Sequence, residues 1–422
     1  MTENETNPPA IPNAHEDDPN ALSVAQALAR IGATIKPVAG TESVALRSAL
    51  GRITARDIES PVNVPPYPNS AMDGYAVLSA DLGADPVSLA VAGTAWAGTP
   101  FNDTVRSGQC VRIMTGAKLP AGADTVVMQE DVVREGDRVR IGAGHQQGQN
   151  VRHIGEDISQ GGVVLPAGRQ IVPADLGLLA SLGLGEVPVV RRLRVAFFST
   201  GDELRSIGQM LQDGQIYDSN RYTLFGMLQR LGVELLDLGV VGDDRESIAS
   251  ALTQAADIAD VVITSGGVSV GDADYVKELL ASMGRVDFWK IAMKPGRPLA
   301  FGQLGESAFF GLPGNPVSVM ATFYQLVQPS LRRMMGCTLD TPLTLRARCT
   351  TRLKKRPGRQ DFQRGILSRN AEGELTVRTT GPQGSHVLSS MSQANCFIVL
   401  AADSGDVSEG TLVDVQPFLG FV

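Results

Sequence analysis

The sequence predicts a multidomain α/β protein. It comprises a doubly wound domain at 192–336, an inserted mostly-β domain at 64–152 and a mixed N-terminal domain made of 21–63 and 153–190. A C-terminal β-barrel-like domain fills 340–422. Three observations carry this reading. Strand and helix patterns alternate through 192–336, which implies parallel strands with helices on both faces. Short apolar runs broken by Gly, Pro and Asp turns fill 64–149 and 340–422, as in barrels or sandwiches. Residues 1–20 carry five acids and four prolines with almost no large apolar side chain, a composition expected of a disordered tail.

In chain order, Leu22, Ala25, Leu28 and Ile31 share one helical face. A second short helix is expected from Ser43 to Leu50, stopped by Gly51. Val87–Val91 and Cys110–Met114 read as strands, and Pro173 opens a helix that Gly183 closes. Strands then follow at Leu193–Phe198, Val233–Val241, Val261–Ser265, Val286–Ala292, Pro298–Phe301 and Ala308–Gly311. Helices follow at Asn220–Leu231, Arg245–Ile258, Asp274–Met283 and, as one long element, Pro316–Met335.

A chain of 422 residues holds several domains and ample core. The net charge of −8 argues against a nucleic-acid binder. No apolar run approaches the roughly 18 residues a membrane span needs, and no signal peptide is read. The four cysteines lack CxxC spacing and read as reduced thiols of a cytoplasmic protein, with neither a zinc site nor a disulfide frame.

The densest chemistry is Thr264–Tyr275, TSGGVSVGDADY, which follows a buried-strand pattern. Strand ends of this kind are where open α/β sheets bind ligands. Its glycines, Gly266 and Gly267 first, admit close approach of an anion, and Ser265 and Ser269 add hydroxyls. Two further loops follow strands of the same domain. One is Ser199-Thr200-Gly201-Asp202-Glu203-Leu204. The other is Leu312-Pro313-Gly314-Asn315-Pro316, running into a helix whose start suits an anion. A capped helix start would explain any one of them alone, but not three at one sheet edge. Lys290, Lys294 and Arg297 surround a Pro-Gly turn that can aim them at phosphate or an oxyanion, or can be a solvated hairpin tip. Asp202, Glu203, Asp243, Asp244, Asp272 and Asp274 crowd the same face. Carboxylates beside a phosphate site imply Mg²⁺, although Asp243 or Asp244 could simply cap the Arg245 helix. Upstream, Asn69-Ser70-Ala71-Met72-Asp73-Gly74 reads by composition as a rigid turn. Met114-Thr115-Gly116 and Gly155-Glu156-Asp157 read first as strand ends. The basic run Arg352, Lys354, Lys355, Arg356, Arg359 and Arg364 reads as a solvated face, or as a patch that steers an anion.

Together these motifs closely resemble the molybdopterin molybdenumtransferase family, which includes bacterial MoeA and the C-terminal domain of gephyrin. The resemblance rests on NSAMDGYAV (69–77), IMTGA (113–117), GEDI (155–158), FSTGDEL (198–204), DSNR (218–221) and SGGVSVGDADY (265–275). It continues through KPGRP (294–298), GLPGNPVS (311–318) and PGRQDFQRG (357–365). It implies an L-shaped homodimer of four-domain chains. The implied reaction takes adenylylated molybdopterin and molybdate, with Mg²⁺ or a similar divalent ion, to molybdenum cofactor and AMP. Carried over by motif, Asp73 is the essential aspartate. Thr115, Asp157, Glu203, Asp243 and Asp274 are the functional hydroxyl and acids. The metal assignment follows from charge and not from the family: Mg²⁺ on Asp274, with Glu203 or Asp243 as the further ligand. Lys290 and Lys294 are pocket cations. Ser265, Gly266, Gly267, Ser269, Arg297, Pro313, Gly314, Asn315 and Pro316 bind substrate, and Arg364 and Ser385 handle the oxyanion. The resemblance further implies that Asp73 reaches the crevice from a distant segment, from the other subunit of the dimer. Implied protein partners are molybdopterin adenylyltransferase and apo-molybdoenzymes, with no nucleic acid and no membrane. Many relatives carry Asp where this chain has Pro68. The rival readings are a molybdopterin adenylyltransferase and a non-enzymatic gephyrin-like scaffold. No Cys or Ser nucleophile with a partnered base is evident, so no covalent protein intermediate is expected.

Overall fold

The computed structural model describes residues 20–266, 274–338 and 342–418, with the side chains of 274–276 also left aside. The chain divides into two compact units. The larger comprises 1–42, 51–53 and 189–422, and the smaller comprises 43–50 and 54–188.

The smaller unit is built on a six-stranded sheet. Its strands are β1 (Gly74–Val77), β2 (Val87–Ala95), β3 (Gln109–Ile113), β4 (Thr125–Met128), β5 (Val132–Glu135) and β6 (Arg138–Ile141), in the order β4-β1-β3-β2-β6-β5. Central β1 is buried along its whole length. At Gly74 a Cβ would lie 2.1 Å from the Val127 carbonyl oxygen, so only glycine lets the neighbouring strand approach. The stretch expected to be a helix from Ser43 to Leu50 is instead strand Thr41–Ala45 followed by a 3₁₀ turn, Leu46–Ser48. So short a segment cannot sustain a helix by propensity, and Thr41 and Val44 are β-branched.

In the larger unit, helix α1 (Val24–Thr34) opens with a Ser23/Gln26 capping box. The doubly wound sheet follows: β7 (Arg194–Thr200), α3 (Ser219–Leu231), β8 (Glu234–Val241), α4 (Arg245–Ile258), β9 (Val261–Ser265), α5 (Asp274–Met283), β10 (Gly284–Lys290), β11 (Pro298–Leu304) and β12 (Ser307–Leu312). Helix α2 (Pro173–Ser181) belongs to the smaller unit. The strand order is β8-β7-β9-β12-β11-β10. Four strands are parallel, but β11 and β10 run antiparallel to their neighbours. Only a two-residue connection, Gly305-Glu306, joins β11 to β12. A parallel pairing needs a crossover of a dozen residues or more, so a hairpin is forced.

The long helix expected at Pro316–Met335 exists but is interrupted. Helix α6 (Pro316–Thr322) passes into a π turn at Phe323–Val327 before α7 (Gln328–Met334). Pro329 lacks an N–H and crowds the carbonyl four residues back, which forces the wider turn.

The C-terminal strands are β13 (Leu345–Cys349), β14 (Gln360–Arg369), β15 (Leu375–Thr379), β16 (Cys396–Leu400) and β17 (Leu412–Pro417), with α8 (Leu388–Gln393) between β15 and β16. The pairings β14-β15-β13-β17-β16 and β16-β14 close them into a five-stranded barrel. Ala347, Cys349, Val377, Cys396 and Ile398 form its interior. Met293–Lys294 adds onto β14 in parallel, opposite Gln360 and Asp361. A single core runs from Phe197 and Phe310 of the sheet through Phe323 and Tyr324 to Phe362 and Phe397 of the barrel.

Candidate active site

Parallel pairing brings the ends of β7, β9 and β12 to one edge: Ser199 lies opposite Ser265, and Ser265 opposite Leu312. The loops that leave these ends are tied together. The Gly266 N–H donates to the Leu312 carbonyl at 3.2 Å. Gly266 has φ +92°, and a Cβ there would lie 2.4 Å from the Thr200 carbonyl oxygen, so the glycine is required by both conformation and space. Asn220, on the first turn of α3, donates through Nδ2 to Ser265 Oγ at 2.9 Å and to the Gly314 carbonyl at 2.7 Å. It therefore clamps the second and third loops to each other. Asp218 caps α3 through Oδ1, which accepts the Arg221 N–H at 3.1 Å.

Around this edge four polar atoms are buried without a hydrogen-bond partner among the described residues: Ser199 Oγ, Thr200 Oγ1, Asp218 Oδ2 and Asn220 Oδ1. Buried polar groups are normally paired, and a cluster of orphans at one sheet edge marks where a ligand completes the network. Asn220 and Asp218 were absent from the residues singled out for binding. The signal for them was the DSNR segment, whose Asp reads as an ordinary helix cap.

Pro313 is buried, whereas Gly314 and Asn315 are exposed. Asn315 stands at the N-cap of α6 without a side-chain capping bond. The helix start is a narrower anion site than the sequence suggested. Pro316 has no N–H, and the Val317 N–H is spent on the Ser385 carbonyl at 3.0 Å.

Of the two aspartates after β8, Asp244 is the helix cap, accepting the Ser247 N–H at 2.9 Å. Asp243 is not, and its own N–H meets Asp202 Oδ1 at 3.3 Å, which joins the loops after β7 and β8. Glu203 and Asp243 are both exposed. Carboxylates on adjacent strand ends are the donors a hard cation takes. A full set of three acids does not converge among the described residues. Asp274 begins α5, and its side chain lies outside the described residues, as do Gly267, Ser269 and Asp272.

Lys290 and Arg297 stand at the same end of one antiparallel pair: Lys290 lies opposite Pro298, and the Ile291 N–H donates to the Arg297 carbonyl at 2.7 Å. With Lys277, Phe288 and Trp289 they line a small pocket. Lys294 Nζ lies 3.7 Å from the buried carboxylate of Asp361 on β14. Gly296 (φ +100°) leaves no room for a Cβ against Thr322 Oγ1, which holds the Pro-Gly turn on α6.

Arg364, on β14, is 1% exposed. Its Nε donates to Ser390 Oγ and its Nη2 to the Gly384 carbonyl, both at 3.0 Å. Burial pulls its pKa down to about 10, against a smaller upward effect of Asp361. It remains charged at neutral pH, beside the segment that holds Ser385.

In the smaller unit, Asp73 and Thr115 come together. Asp73 Oδ1 accepts both the Thr115 N–H and the Thr115 Oγ–H at 2.7 Å. The backbone bond first, then the hydroxyl, hold the Asp73 carboxyl below its ordinary value. Asp157 is exposed on a turn whose N–H donates to the Val64 carbonyl at 3.0 Å. Pro68 offers its carbonyl to the Leu119 N–H at 2.9 Å, a purely structural contact.

Three families match along the chain. The MoeA N-terminal region (domain I and II) covers 22–183, a probable molybdopterin binding domain covers 196–333, and the MoeA C-terminal region (domain IV) covers 346–418. The chain is 49% identical to a molybdopterin molybdenumtransferase of Haemophilus influenzae, over 90% of this chain and 94% of that one. It is 34% identical to gephyrin of Dictyostelium discoideum, over 88% of this chain and 58% of that one. The solved molybdopterin biosynthesis moeA protein of Pyrococcus horikoshii superposes with a TM-score of 0.83 at 30% identity, covering 94% of this chain and 100% of that one. With all three regions matched in order, the chain belongs to the molybdopterin molybdenumtransferase family.

Proposed function

We propose that this protein transfers molybdenum from molybdate to adenylylated molybdopterin, releasing AMP. The observation that supports this best is the cluster of orphaned buried atoms at the ends of β7 and α3. Asp218 Oδ2 and Asn220 Oδ1 are buried acceptors at the sheet edge, and the edge of a pterin carries N–H donors that would satisfy them. Ser199 and Thr200 offer hydroxyls beside them. Lys290, Lys294, Arg297 and Asn315 hold the anionic groups, and water adds to the anhydride phosphorus as its bond to the AMP oxygen breaks. Arg364 and Ser385 hold the oxyanion. Mg²⁺, held by Glu203, Asp243 and Asp274, would neutralise charge on the phosphoanhydride when bound.

AMP release from adenylylated molybdopterin, dependent on molybdate, tests the reading. ATP consumption with no molybdate requirement would favour the adenylyltransferase, and absence of AMP the scaffold. Asp274→Asn should abolish AMP release while pterin binding persists, and full turnover in that variant would sink the metal assignment. We further infer a homodimer of four-domain chains, divided at about 64, 153, 192 and 340, and sedimentation tests its mass.

A further inference from the structure

The basic run of the C-terminal domain is more than a solvated face. Lys294, Lys354, Lys355, Arg356 and Arg359, with Asp361 and Asp406, line a bay of about 450 Å³ at one end of the barrel. Its carboxylates are already engaged. Asp406 takes Arg352 at 2.8 Å and the Lys355 N–H at 2.8 Å. Asp361, 3% exposed, takes Gln363 Nε2 at 3.1 Å and faces Lys294. Buried Lys355 spends its ammonium on the carbonyls of Arg356, Ala402 and Ser404. Its charge is thereby fixed at the floor of the bay, although burial lowers its pKa. Lys354, Arg356 and Arg359 have no carboxylate partner among the described residues.

Phe362 and Arg364 alternate with Asp361 and Gln363 along β14. Asp361 thus faces the bay, and Arg364 the opposite side of the strand, toward α8. The bay and the buried Arg364 guanidinium are two places. No aromatic side chain lines the bay, so nothing there would stack a nucleobase or pterin.

We propose that this bay is a docking site for a small tetrahedral dianion, of the molybdate or phosphate type, with Lys294 among its lining cations. This rests on the function proposed above. Five cations in a concave, partly enclosed site raise the local concentration of such an ion and steer it, at modest affinity and with strong dependence on salt.

The test is calorimetric titration of the full-length protein with sodium molybdate and, separately, with inorganic phosphate, which needs no turnover. The two exposed to half-exposed arginines are removed together in R356A/R359A, and K354E is made as a second, single surface change. Molybdate affinity should fall about tenfold in each, and raising salt in the wild type should weaken binding in the same direction. Phosphate that competes with molybdate identifies shared dianion recognition, and phosphate that does not bind identifies the metalate. Molybdate affinity unchanged in both variants, or lost only in Arg364→Ala, overturns the proposal. Failure of AMP release alone would overturn the enzymatic reading and leave the bay intact.

Discussion

Asp73 and Thr115 show how one side chain sets another. The carboxylate is held charged by an N–H and a hydroxyl from the same residue. Thr115→Val removes only the hydroxyl, so the Asp73 carboxyl should titrate at higher pH than in the wild type, read by carboxyl NMR. The sign follows from linkage: a carboxyl depressed in the folded state stabilises it above the ordinary carboxylate range, and that contribution is lost as pH falls through the folded value. The substitution therefore moves the acid limb of stability, and of any activity that needs the charge, upward in pH. An unmoved titration would mean that the N–H alone fixes the carboxylate. Gly266→Ala is a harsher change. It combines a positive φ with a collision on the Thr200 carbonyl, and should cost at least about 2 kcal/mol in a denaturant titration. Gly266 was legible in the sequence because glycines after a strand carry a mechanical meaning. Asn220 was not, because its role is to join two loops that are 45 and 94 residues away, and a single sequence does not show such contacts.

At the scale of elements, the loops at the sheet edge act as a set held by α3. Asn220→Ala deletes two hydrogen bonds, each worth about 1 kcal/mol. It should lower stability modestly and AMP release severely, because Ser265 and Gly314 then lose their fixed spacing. Near-normal release would show that the loops position themselves. The parallel core of this sheet was legible from strand–helix alternation. The antiparallel pairing of β10 with β11 was open in the sequence as a hairpin tip at Lys290–Arg297, and the two residues before β12 were the cue that β11 also turns back on β12. The long helix at 316–335 was legible, but its π turn was not: apolar periodicity persists through Pro329, although its missing N–H forces the wider turn. Asp244 as the cap of α4 was one of two open alternatives that only geometry could separate.

For the larger unit, the sequence suggested a sheet domain and a barrel domain joined near residue 340, and composition shifts made both visible. Composition could not show that one apolar core crosses that join. Tyr324 of the π turn stacks edge-on against Phe397 of the barrel at 6.2 Å, and Phe397 against Phe418 at 4.9 Å. Gln325 Nε2 donates to Gln416 Oε1 across the same contact. The π turn thus rotates aromatic residues of the sheet domain's helix into the barrel wall. It follows that the two should melt as one cooperative block. The chain has two tryptophans. Trp289 sits in the sheet, 5.3 Å from Phe301, and Trp96 in the smaller unit. In a Trp96→Phe background, fluorescence therefore reports the sheet alone. Ile398→Ala, a change inside the barrel and away from that contact, truncates a fully buried side chain and should cost about 2–5 kcal/mol. If the block is cooperative, the Trp289 transition shifts by that full amount. A Trp289 midpoint that stays in place while barrel structure is lost would show two domains that merely touch.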